Sequence, residues 1–127
     1  SGMNDIEQVK ENIKTASDAT PNSLNEKEIG LIDRVTDIYS EKMKVGCTGC
    51  EYCLPCPEKV TIPNIFEIYN DLYVFGTEES SKEAYKSYVK REIDASKCIE
   101  CGKCEKLCPQ HIEIRRHLKE AHKVLTK

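Results

Sequence analysis

All eight cysteines of this 127-residue chain lie in two short runs, and none is left over. The first run is Cys47-x2-Cys50-x2-Cys53-x2-Cys56-Pro57, and the second is Cys98-x2-Cys101-x2-Cys104-x3-Cys108-Pro109. This spacing narrows the chemistry. Paired disulfides suit a secreted mini-protein, and no secretion signal is recognisable here. Zinc suits cysteine pairs set a dozen or more residues apart. An iron–sulfur cube takes three cysteines from one tight turn and a fourth from elsewhere. A chain curling around a cube delivers a side chain inward about every third residue, so three thiolates reach three iron corners. Eight thiolates then make two [4Fe–4S] clusters. Zinc, disulfides and free thiols remain the alternatives.

The fourth cysteine of each run directly precedes proline. Proline fixes its own φ and biases the residue before it away from the helical region, which turns that cysteine away from the first three. In two-cluster ferredoxins this last cysteine ligates the other cluster. The expected assignment is therefore crossed. One cluster takes Cys47, Cys50, Cys53 and Cys108; the other takes Cys98, Cys101, Cys104 and Cys56. The second run fits the bacterial spacing without deviation. The first has one residue fewer before Cys56, and a Cys56 that falls short would leave a three-iron or labile cluster. Gly46, Gly49 and Gly102 give backbone N–H groups close approach to sulfur. Tyr52, Leu54, Ile99 and Leu107 are candidates for an apolar shell.

Lysine and arginine number 19 against 22 aspartates and glutamates, mixed along the chain. No basic stripe of a nucleic-acid binder is present. No apolar run approaches the roughly 20 residues that span a bilayer. The chain is expected to be soluble and cytoplasmic. Charged residues make up 32 %, so the apolar core is modest and needs help from metal or disulfides. Ser1-Gly2 reads as the scar of a cleaved tag.

The remaining segments read as helices. Asn4-x-x-Glu7 and Ser23-x-x-Glu26 resemble capping boxes. Ile6, Val9 and Ile13, then Ile32, Val35, Tyr39 and Met43, recur at helical spacing and are expected to pack into a core. Pro63 suits a helix start and Gly76 a helix stop. Between them Ile65, Phe66, Tyr69, Leu72 and Tyr73 form a stripe. A second helix carries Ala84, Tyr85, Tyr88 and Val89, and a last one Ile114, Leu118, Ala121 and Leu125. His111 is expected at a helix start or in the core, and His117 and His122 on the surface. No strand alternation appears. The fold class is mainly α: a helical segment over 3–40, then a domain over 41–127 with two cluster-binding turns. From about Lys44 onward the metal-free chain is expected to be poorly ordered.

The two Cys-Pro runs with a helix pair between them resemble α-helical ferredoxin domains. More of the chain, through "MNDIEQVKENI", "PNSLNEKEIGLIDRV", "CTGCEYCLPCPEKVTIPNIFEIYND" and "CIECGKCEKLCPQHIEIRRHLKE", is similar to the C-terminal end of iron–sulfur aldo/keto reductases. That resemblance implies a nicotinamide-binding (β/α)8 barrel in cis in the full-length protein, with the helical segment as its final part. It implies an oxidoreductase whose catalytic tyrosine, lysine, aspartate and histidine lie in the barrel, so this chain has no catalytic residue of its own. The expected function is electron transfer through the two clusters, with an unidentified redox partner. The rival reading is a cluster- or zinc-stapled docking module without a redox role.

Overall fold

The computed structural model describes residues 3–127; the Ser1-Gly2 reading lies outside the described residues. Every regular element is helical: α1 (Ile6–Asp18), α2 (Glu26–Lys42), α3 (Ile62–Val74), α4 (Glu78–Lys90), α5 (Lys103–Leu107) and α6 (Ile114–Leu125), with a 3₁₀ turn at Ala95–Lys97. No strand occurs among the described residues. The fold is mainly α, as expected. Its contacts divide the chain into one unit ending at Thr36 and another over Asp37–Lys127. Helix α2 runs through that division without a break.

In the first unit both helices begin on side-chain caps, but not on the expected residues. The α1 cap is Asp5, whose carboxylate accepts from the Glu7 N–H at 2.7 Å. At α2 the cap is Asn25. Its Oδ1 accepts from the N–H groups of Lys27 (3.0 Å) and Glu28 (3.1 Å), and its own N–H donates to Glu28 Oε2 at 2.8 Å. Asn25-x-x-Glu28 is the same reciprocal box, two residues beyond Ser23. The apolar stripes of α1 and α2 do not make the core expected of them. No residue of either helix is buried, and Ile6, Ile13 and Ile32 are 64, 61 and 50 % exposed. Two helices cannot enclose a core by themselves.

The second unit has the core. Helices α3, α4 and α6 pack on one another and bury Ile62, Ile65, Phe66, Tyr85, Ile114 and Leu118. Helix α3 starts with Pro63 in its first turn, and Gly76, at φ +68°, follows its C-cap Phe75. Such a left-handed residue satisfies the last helical carbonyls, and glycine takes it without a Cβ clash. Tyr85 is fully buried. Burial pushes its hydroxyl up to about 12, so the proton stays on. The Ala95 N–H donates to the Tyr85 oxygen at 3.1 Å, and the same hydroxyl shares a hydrogen bond with His122 Nδ1 at 2.9 Å. Tyr85→Phe therefore orphans a buried N–H. It should cost about 1–3 kcal/mol by denaturant unfolding of the metal-loaded protein, whereas a surface tyrosine such as Tyr52 replaced by Phe should cost nothing measurable.

The unit is also an internal repeat. Gly49 and Glu51, on either side of Cys50, have positive φ, as do Glu100 and Gly102 on either side of Cys101. Past each Cys-Pro pair, Lys59 and His111 again have positive φ, and their N–H groups donate to the carbonyls of Cys56 (2.9 Å) and Cys108 (3.1 Å). The Ile62 N–H then donates to Val60 (3.0 Å) and the Ile114 N–H to Ile112 (2.8 Å), at the starts of α3 and α6. One backbone device, cysteine turn then helix, is used twice. His111 is thus an exposed turn residue, not a helix-start or core residue. His117 and His122 turn inward instead of lying free on the surface. The His117 ring meets Phe66 edge-on at 6.3 Å, and His122 bonds Tyr85.

Candidate metal centres

The cysteine turns face two cavities. Cys47, Cys50 and Cys53 line the first together with Cys108, against Ile62, Phe66, Ile112 and Ile114. Cys98, Cys101 and Cys104 line the second together with Cys56, against Val60, Ile62 and Leu118. Cys53 touches the second cavity as well, because it stands between the two. Phe66 and Leu118, each the fifth residue of its helix, form equivalent floors. The shorter spacer before Cys56 is Leu54-Pro55, joined by a cis peptide bond. With that spacer Cys56 lines the cavity of the opposite run.

This donor set fits iron–sulfur cubes. Four soft thiol groups line the first volume and five, counting the shared Cys53, line the second, over a floor of aliphatic and aromatic carbon. Among the described residues no three His, Cys, Asp or Glu side chains converge at the spacing of one ion. Burial pushes Cys53 up to about 11, a rise its own backbone N–H opposes and neighbouring thiols reinforce. Burial raises Cys104 too. Without metal these thiols hold their protons at neutral pH, and ligation exchanges proton for iron.

Each turn is approached by a pinned segment. Before the first run, Asn70 Oδ1 accepts from the N–H groups of Lys44 and Val45 at 3.0 Å each, and its Nδ2 donates to Val45 O at 2.8 Å. The Cys47 N–H donates to that same carbonyl at 2.8 Å. Before the second run, the buried Asp94 accepts from the Ser96 N–H at 2.9 Å and caps the 3₁₀ turn that ends at Cys98. Its Oδ2 has no partner among the described residues. Sequence reasoning missed Asn70, Tyr85 and Asp94 as supports. Asp94-x-Ser96 carries a local turn signature that could have been found. Asn70 and Tyr85 act across long sequence separations and leave no such trace.

Of the proposed apolar shell, Leu54, Ile99 and Leu107 line the second cavity, with Ile99 and Leu107 about 60 % exposed at its rim. Tyr52 lines neither cavity and is 66 % exposed. Gly49 and Gly102 use the left-handed conformation that glycine takes without strain. Gly46 has neither positive φ nor a close neighbour to explain its size.

A helical frame in which two cysteine turns face two thiol-lined cavities defines a class: the two-cluster iron–sulfur proteins. The family model for a 4Fe-4S dicluster domain matches residues 46–113. The chain belongs to that family and binds two [4Fe–4S] clusters, a number that its eight cysteines fit. Comparison with curated proteins and comparison with solved structures each gave no match. No helix among the described residues is long and apolar enough to cross a membrane.

Proposed function

We propose that the chain relays single electrons, with each cluster held by three cysteines of one run and the last cysteine of the other. The observation that carries this reading is the lining of the cavities: Cys108 shares one with Cys47, Cys50 and Cys53, and Cys56 shares the other with Cys98, Cys101 and Cys104. When bound, a [4Fe–4S] cluster supplies a one-electron store. The protein does the rest. Deprotonated thiolates fix each site, while Ile62, Phe66, Ile114 and Leu118 keep water from its inner side. Cys50 and Cys101, the exposed members of the two runs, bring each site to the surface where a redox partner can approach. Ile62 belongs to both linings, so the two sites are close neighbours.

The finer reading rests on resemblance. The chain is the cluster domain of an aldo/keto reductase, working with that protein's barrel in cis and with an unidentified external redox partner. The exposed apolar side chains of α1 and α2 suit helices that cover another body. The cytoplasm, where thiols stay reduced, suits such a chain. Anaerobically reconstituted protein should hold about eight iron atoms per chain, four per cluster. Dithionite should bleach its visible absorption and produce a paramagnetic signal. Full iron content without bleaching or signal would overturn the relay in favour of a structural staple.

A further inference from the structure

Because the unit is a repeat, its two cavities can be compared position by position, and they differ in charge. Three pairs of equivalent positions are decisive. Glu51 of the first turn corresponds to Gly102 of the second, and Tyr52 to Lys103. Pro63 in the first turn of α3 corresponds to Arg115 in the first turn of α6. The lining of the first cavity includes one charged residue, Glu51, and no cation. The lining of the second includes Lys103 and Arg115 and no anion. Outside Cys47 the adjoining groove adds Glu67 and Asp71, again with no lysine or arginine in its lining.

Arg115 is held in place. Its guanidinium lies on the backbone at Gly102, where a Cβ would meet the central carbon at 3.7 Å. Its Nε donates to Glu105 Oε2 at 2.9 Å, and its Nη1 points to Glu100 O at 3.5 Å. Glu105 Oε1 also accepts from the Arg115 N–H at 2.9 Å. Arg115 belongs to the cavity lining, and Glu105 does not.

Building on the ligand sets proposed above, we infer that Arg115 sets the direction of electron flow: an electron shared by the two sites rests at that of Cys98, Cys101, Cys104 and Cys56. A positive group stabilises the added electron and raises the potential; a negative group lowers it. The exchange balances by itself. One electron leaves the first-run site, one arrives at the second-run site, and no bond changes. Arg115 is a positioning residue for charge and touches no substrate.

The test is an anaerobic redox titration of the reconstituted protein, followed by paramagnetic resonance, on the parent chain and three variants. The parent should show two separate one-electron waves. Arg115→Gln should lower the higher wave alone, by about tenfold in the exchange equilibrium or about 59 mV for one electron. Glu105, released from its partner, adds to the effect. Arg115→Lys should keep most of the separation, and Glu51→Gln should raise the lower wave alone. An Arg115→Gln protein that keeps its iron but moves the lower wave, or neither, overturns the inference while leaving the relay intact. A fully loaded parent that takes up no electron overturns the relay itself.

Discussion

Replacing Cys47 and Cys108 together by alanine should leave one intact [4Fe–4S] cluster and about four iron atoms per chain. The two residues lie at opposite ends of the cluster region, in different runs, yet they line one cavity. Under the crossed arrangement both losses fall on one site, and the site of Cys98, Cys101, Cys104 and Cys56 keeps its full set. Replacing Cys47 and Cys56 together should have the opposite result: one ligand lost from each site, and no intact cluster. If each run instead held its own cluster, the two outcomes would be exchanged. The comparison is a double-mutant cycle in which coupling reports shared ligation. Alanine is preferable to serine, whose oxygen can stand in for sulfur. Iron and sulfide counts, with the absorption of the oxidised protein, decide it. Intact cluster in the Cys47/Cys56 pair and none in the Cys47/Cys108 pair would overturn the crossed assignment.

What the sequence carried was the chemistry. Cysteine spacing is a local pattern, and the chain has to curl once per ligand whatever surrounds it, so both turns were legible. The α3, α4 and α6 stripes were legible for a similar reason: Phe66, Tyr85 and Leu118 recur at helical spacing and become the core. The repeat was hidden because glycine and glutamate trade places in it. Gly49 and Glu51 in one turn answer to Glu100 and Gly102 in the other, so the shared backbone torsions have no shared letters. A glutamate with positive φ is uncommon and follows no local rule. Here the same torsions recur in both cysteine turns. The stripes of α1 and α2 show the converse failure. Periodicity says which face of a helix is apolar, not whether anything in the chain covers it.

Removal of the clusters should cost the second unit its cooperative structure. Six of the eight cysteines are partly buried and pack against the core, so the sites are part of that core and not attachments to it. From Val45 to Val60, and from Cys98 to Glu113, the only regular element is the five-residue α5. Those stretches hold their paths through ligation and a few turn bonds. Stripped of iron, Cys53 and Cys104 are protonated thiols lining an emptied space, and an unfilled cavity forfeits packing contacts on every wall. A domain of ordinary stability has only about 5–15 kcal/mol to lose, and structural zinc alone contributes about 10–16 kcal/mol in small peptides. Two clusters should therefore decide whether this core forms at all. Chelation under denaturing conditions, followed by return to buffer, should give a chain whose far-ultraviolet circular dichroism shows most of α3, α4 and α6 lost and whose thermal transition is gone. Helix α1, which has no buried residue, should change little. Restoring iron and sulfide should bring back the transition. Unchanged ellipticity and an unchanged melting curve in verified iron-free protein would show that the apolar core stands alone, and that the clusters are passengers in a fold able to form without them.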